Sequence, residues 1–181
     1  MRALVCGLLL LVIATSVSLA ADDFQPEQGY KSLFNGKDLT GWKTKKGDAL
    51  DGQTVSPDKR FKVDGGLLII DTSAKGDVTI NTADEFSGDA HLKFDYLPGK
   101  GCNNDLFFRG TKFDLKPADV KNQVEGEWNS FEIVVTGDKA EFKNNGQSIK
   151  TMPTKSAKSG LGLRAEFGPI QYRRLQIKAG S

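Results

Sequence analysis

Three short stretches carry the side chains that could do chemistry together: Asp105 to Arg109, Leu163 to Phe167, and Phe113 to Leu115. In an extended chain successive side chains point to opposite faces. Asp105, Phe107 and Arg109 then share a face opposite Leu106 and Phe108. Arg164 and Glu166 lie opposite Leu163, Ala165 and Phe167, and Asp114 lies opposite Phe113 and Leu115. The apolar faces belong to a core, so three strands each offer charged groups to the outer side. A carboxylate placed there can remove a proton, an arginine can stabilise a developing oxyanion, and Phe107 supplies an apolar platform suited to the face of a sugar. The same pattern also describes a solvated sheet laced with exposed ion pairs, which contribute little.

Other chemistries are poorly supplied. The single histidine, His91, alternates with Lys93 and Asp95 on a polar strand face and reads as solvated. Cys102, in a Gly-Cys-Asn-Asn turn without a histidine partner, reads as structural. No G-x-S-x-G elbow occurs. One Cys and one His after residue 20 make a poor zinc site. A divalent metal on Asp105, Asp114 or Glu166 has no spacing motif behind it, and no D-x-D-x-D-G calcium loop occurs, so no cofactor is expected.

The elements that must position these residues are strands. Period-two alternation dominates, and no segment after residue 20 sustains an amphipathic helix over three turns. Leu67 to Ile70 and Val78 to Ile80 are short apolar runs, while Ala90 to Tyr96 alternates with Ala90, Leu92, Phe94 and Tyr96 on one face. Phe131 to Val135, Ala140 to Phe142 and Gln147 to Lys150 are separated by Gly137-Asp138 and Asn145-Gly146, which predicts a three-stranded meander. Leu161 to Phe167 and Tyr172 to Ile177 complete the set. Lys116 to Val120 is one turn at most. Many short strands with glycine-rich turns point to an all-β, two-sheet antiparallel sandwich.

Met1 to Ala20 has a basic residue at Arg2, an apolar run from Ala3, and small residues at Ser18 and Ala20, which together read as an export signal peptide. A membrane anchor is the alternative, but the run is diluted by Thr15, Ser16 and Ser18 before it can span comfortably. The expected organisation is a signal peptide at 1–20 and one β-sandwich domain at 21–181, exported to the periplasm, envelope or medium, with no transmembrane segment in the mature chain. The formal charge is +2, and the cut removes only Arg2 among charged residues, so nothing points to nucleic acid. One remaining cysteine excludes an internal disulfide. Oligomeric state is not legible.

Leu33 to Trp42 reads LFNGKDLTGW, a hydrophobic anchor followed by an Asn-Gly turn and a returning Leu39 and Trp42. This string resembles the opening of the bacterial 3-keto-disaccharide hydrolase domain family. Four further segments are similar to the family in the same order: Gly101 to Gly110, Gly126 to Asn129 with Phe131 to Val135, Asn145-Gly146, and Gly162 to Arg173. Only Gly110 to Gly126 separates the Arg109 strand from the Glu127 turn, where larger members have a long insertion; Asp114 stands for its Glu, and Arg164 where Gln is usual.

The resemblance implies a concanavalin A-like lectin/glucanase jelly roll whose concave sheet carries a carbohydrate ligand or substrate. It also implies a sugar oxidised to a ketone at C3, which acidifies the C2 proton. A carboxylate would remove that proton, the C1 oxygen would leave by β-elimination, and water would add back. Under this scheme Glu166 or Asp114 is the base and Arg109 or Arg164 the oxyanion partner, with Asp105, Phe107, Asn103 and Trp128 binding substrate. The Glu-x-Asp-x-x-Glu strand of the glucanases of this fold class is absent, which disfavours retaining hydrolysis of unmodified glucans. The other readings are a sugar-binding domain without catalysis and a structural module of the envelope.

Overall fold

The structure is a computed structural model that describes residues 24–180. The expected signal peptide and its cleavage site lie outside the described residues. In chain order the strands are β1 (Lys31–Ser32), β2 (Trp42–Thr44), β3 (Phe61–Asp64), β4 (Leu67–Ile70), β5 (Val78–Thr82), β6 (Phe86–Ser87), β7 (Ala90–Pro98) and β8 (Asn103–Phe108). They continue with β9 (Thr111–Leu115), β10 (Asn129–Thr136), β11 (Lys139–Asn144), β12 (Gln147–Pro153), β13 (Lys158–Ser159), β14 (Gly162–Phe167) and β15 (Ile170–Ala179). Among the described residues there is no helix.

The strands form an eight-stranded sheet in the order β12-β11-β10-β7-β15-β4-β3, with β1 also paired to β15, and a five-stranded sheet in the order β2-β5-β14-β8-β9. A short β13-β6 pair stands apart from both. All pairings are antiparallel. The expected meander is β10-β11-β12, with Asn145 and Gly146 both at positive φ in its second turn, as a two-residue hairpin requires.

The two sheets pack face to face through alternate side chains. Leu92, Phe94 and Tyr96 of β7, Phe131, Ile133 and Val135 of β10 and Leu175 and Ile177 of β15 are buried. They meet Leu106, Phe108, Phe113, Leu163 and Trp42 from the smaller sheet. Aromatic contacts knit the layers, with the Phe113 ring 5.4 Å from Phe131 and stacked 4.6 Å from Phe142. The opening segment is pinned by Trp42, whose indole N–H donates to the Leu33 carbonyl at 2.9 Å. The Asn35 side-chain oxygen accepts from the Lys37 and Asp38 amides and so sets the turn between them.

Three expectations need correction. Phe167 is not on the core face. β14 pairs Arg164 with Asp105 and then Phe167 with Asn103, so three residues on one strand match two on the other. This bulge turns Phe167 outward, where it is 62% exposed. Buried Asn104 fills the bulge, accepting from the Glu166 amide at 2.8 Å and donating to the Phe167 and Gly168 carbonyls.

Arg109 is not on the outer face either. Arg109 and Gly110 are the two turn residues of the β8-β9 hairpin, both at positive φ, and Phe108 pairs with Thr111 across them. Alternation stops where the strand stops, so the side chain swings away. His91, finally, is not simply solvated. Its Nδ1 lies 2.7 Å from the Tyr30 hydroxyl and its Nε2 2.6 Å from Glu132, tying the start of the described chain to the outer face of the large sheet.

Candidate functional site

The charged residues that the strands bring together lie on the outer face of the five-stranded sheet. Register places Thr79 of β5, Arg164 of β14, Asp105 of β8 and Asp114 of β9 in one row across four adjacent strands. Directly opposed side chains on neighbouring strands share a face and reach each other. Arg164 Nη1 donates to Asp105 Oδ2 at 2.6 Å, and Nη2 donates to Glu166 at 3.1 Å. Its Nε and Nη2 form a two-pronged bond to Asp77, just before β5. Lys112 of β9 binds Asp114 and lies 3.4 Å from Asp105.

Asp105 is 0% exposed. Burial, and next the neighbouring Asp114 carboxylate, push its carboxyl above the usual range despite Arg164 and Lys112. Asp114 is held below that range, first by the neighbouring Asp105 carboxyl and then by Lys112. The two carboxyls, opposed in register, are therefore biased in opposite directions. Oδ2 of Asp105 accepts from Arg164 and Lys112, whereas its Oδ1 is buried without a hydrogen-bond partner. Arg164 is held firmly charged, chiefly by Asp77 and next by Asp105. Arg164 holds the Asp77 carboxyl down in turn.

The next row supplies a floor. Asn81, Gly162, Phe107 and Lys112 are neighbours in register. A Cβ on Gly162 would lie 2.7 Å from the Asn81 side-chain oxygen and 3.3 Å from Phe107 Cβ, so only glycine lets these side chains close over the strand. Phe107 is half-buried here. At the other end Asn103 faces the same way, its side-chain oxygen buried and unpartnered, beside outward-turned Phe167. Two aromatic side chains thus bracket the polar row, separated by about four residues of strand, roughly 13 Å.

Of the residues singled out in the sequence, the structure assembles Arg164, Glu166, Asp114, Asp105, Phe107 and Asn103. It separates two. The Arg109 guanidinium donates to the Ser156 and Gly88 carbonyls and is almost fully buried, a clamp on loops at the far end of the hairpin. Trp128 precedes β10 in the other sheet and stacks on Arg173, 3.9 Å from its ring centre. Sequence reading missed Phe167, Asp77 and Lys112. A bulge hid the first, and no pattern links Asp77 to Arg164 across 87 positions. Lys112 was legible, since it is two residues from Asp114 and shares its face.

Cys102 is buried, its thiol bonded to the Leu115 carbonyl and pushed up to about 11 by burial, which makes it inert. Among the described residues no three His, Cys, Asp or Glu side chains converge as metal ligands. No described helix is long and apolar enough to cross a membrane.

The family model of the 3-keto-alpha-glucoside-1,2-lyase-like domain matches residues 29–125, more than half of the chain. The chain belongs to this family. The match spans the opening segment, β8 and β9 with Asp105 and Asp114; Arg164 and Glu166 lie beyond it and reach the site through β14. No curated protein matches the sequence.

Among solved structures, a proposed glycosyl hydrolase from Parabacteroides distasonis is 19% identical with a TM-score of 0.68, over 85% of this chain and 95% of that one. The carbohydrate-binding module CBM66 from Bacillus subtilis is 12% identical with a TM-score of 0.51, over 82% of this chain and 100% of that one. A Bacillus subtilis protein with a galectin-like fold is 11% identical with a TM-score of 0.55, over 83% and 94%. At these identities the likeness is one of fold, a concanavalin A-like sandwich. Within the 3-keto-alpha-glucoside-1,2-lyase-like family this chain is a carbohydrate-active domain.

Proposed function

We propose that the domain cleaves 3-keto glycosides by removing the C2 proton and eliminating the C1 oxygen. One observation carries this reading: Arg164, set in a row with Asp105 and Asp114 and touching Glu166, on a face bracketed by Phe107 and Phe167. In the proposed reaction Glu166 takes the C2 proton. The released electron pair forms the C2–C3 double bond of an enolate, and Arg164 stabilises the charge on the C3 oxygen.

The enolate then collapses, the C1–O bond breaks, and the leaving oxygen takes up the proton that Glu166 removed from C2, which returns Glu166 to its carboxylate form. The products are a 1,2-unsaturated 3-keto sugar and an alcohol. Adding water across that double bond makes the net change a hydrolysis. Glu166 suits the base role better than Asp114, which is tied to Lys112 and held low.

The test is turnover of 3-keto disaccharides by the purified domain, beside the parent sugars. Glu166→Gln is expected to abolish turnover with little change in melting temperature, because shape is kept and only the base is lost. A second reading, sugar binding without turnover, is favoured by the engagement of Arg164 with three carboxylates. Saturable binding of 3-keto sugars by wild-type protein, with no product, would establish it.

A further inference from the structure

Glu166 sits where the sheet stops supporting it. It has a register partner on neither neighbouring strand: β5 pairs with β14 only as far as Ala165, and the pairing with β8 passes from Arg164 to Phe167. Its backbone amide and carbonyl must therefore find partners outside the ladder. Two buried side chains from distant segments supply them. Asn104 accepts from the Glu166 amide at 2.8 Å, and Arg60 Nη2 donates to the Glu166 carbonyl at 3.3 Å.

Arg60 does more than cap one carbonyl. It directly precedes β3 of the larger sheet and is 3% exposed. Its Nη1 donates to the Asp71 and Ala74 carbonyls, in the segment that runs from β4 toward Asp77. One guanidinium thus ties the Glu166 backbone to the segment carrying Asp77, which is itself bonded to Arg164. The side-chain partners of Arg60 are all carbonyls, and its Nε has none. A buried charge without a carboxylate beside it is costly, and an apolar side chain would serve for packing alone.

Asn104, fully buried, completes the mount by donating to the Phe167 and Gly168 carbonyls. Gly168 closes it, since a Cβ there would lie 2.5 Å from the Gly101 carbonyl oxygen. The Glu166 carboxylate itself bonds one described side chain, Arg164, so its direction depends on how the backbone beneath it is held. Bulges beside active sites re-aim side chains in this way.

We infer that Arg60 and Asn104 are positioning residues, which fix the carbonyl and the amide of residue 166 and so aim the Glu166 carboxylate at the C2 proton. The inference rests on the 3-keto glycoside reading above, which makes Glu166 the base.

Matched variants test it. Arg60→Lys keeps the charge but cannot fork between the loop and the bulge, and Asn104→Ala removes the contacts on the amide side. Arg109→Lys and Asn144→Ala make the same changes at buried residues bonded elsewhere. Turnover of a 3-keto disaccharide is measured at a temperature where each variant is folded. In Arg60→Lys and Asn104→Ala, kcat is expected to fall about 100-fold with KM within about threefold, because a base displaced by about 1 Å loses reactivity and not substrate affinity. The two controls are expected to keep the wild-type kcat, even where their melting temperatures fall as far. Hydrogen exchange at the Glu166 amide is expected to quicken in the first pair alone. Either member of that pair suffices if the other does not fold.

Wild-type kcat in Arg60→Lys or Asn104→Ala, an equal loss in the controls, or an unchanged Glu166 amide overturns the inference. If wild-type protein binds 3-keto sugars without turning them over, the catalytic reading fails and dissociation constants take the place of kcat. Weakening confined to the first pair then keeps the positioning of Glu166, and uniform constants overturn it. Absence of both turnover and binding overturns both readings.

Discussion

Arg164 and Asp105 stand directly opposite one another on adjacent antiparallel strands, and their side chains meet at 2.6 Å with Asp105 closed off from solvent. The arrangement leaves a carboxyl group in the sheet whose charge is tolerated only through Arg164 and the more distant Lys112. Arg164 also reaches Asp77 and Glu166, so one guanidinium organises carboxylates from three segments of chain.

Removing that guanidinium strands the buried acid. Arg164→Met is expected to destabilise the domain by about 3 kcal/mol, the order seen when one partner of a buried pair is lost. Asp105→Asn is expected to cost roughly 1 kcal/mol or less, because the amide keeps the shape of a group already biased toward neutrality. Urea unfolding of both single variants and the double variant measures the coupling. Equal and additive losses would mean that the pair is incidental.

The pH dependence of stability includes two opposed contributions. Asp71 is lowered from 3.8 to about 2, chiefly by the Ser73 side chain and next by the Ser73 amide. Its contribution is complete above the unfolded value and is lost as pH falls from 3.8 toward 2. Asp105 is raised, so its contribution is complete below its unfolded value and is lost as pH rises through its folded value. Urea midpoints from pH 2 to 8 should show Asp71→Asn losing less stability in acid than wild type. Asp105→Asn should gain on wild type as pH rises.

Arg109 gives a prediction of the opposite kind to Arg164. Its guanidinium bonds the Ser156 and Gly88 carbonyls, which an alanine would leave without these partners. Arg109→Ala is expected to cost about 2 kcal/mol or more. The activity of the remaining folded protein should be unchanged. Loss of turnover at full stability would return Arg109 to the active site.

The anchor of the opening segment is Trp42, fully buried and bonded to Leu33. Trp42→Ala is expected to cost roughly 3 to 5 kcal/mol. Trp42→Phe loses the hydrogen bond but keeps most of the packing, and should cost clearly less. Thermal melting of the two variants separates packing from polar anchoring.

Export is the remaining expectation. The mature chain should begin close to Ala21 or Asp22, and N-terminal sequencing of protein recovered from the envelope or medium checks it. Recovery of protein that still begins at Met1 would argue against cleavage.

The sequence by itself determined the layers. Strict alternation around Ala90 to Tyr96 and Phe131 to Val135, with two-residue turns at Gly137-Asp138 and Asn145-Gly146, leaves few ways to bury the apolar faces other than two antiparallel sheets. The buried faces of β7 and β10 follow that pattern residue by residue. It also determined that Asp105, Phe107, Asp114 and Arg164 point away from the core, since that needs only local period and one-sided burial. Tertiary structure decided which of them meet. Register across β5, β14, β8 and β9 is a property of pairing between distant segments, and it alone puts Arg164 against Asp105 and brings in Asp77. Tertiary structure also decided where alternation ends: a left-handed turn removed Arg109, and a bulge filled by Asn104 exposed Phe167. The first is a two-residue turn and the second a one-residue bulge, and both interrupt alternation through backbone conformations set by pairing with another strand.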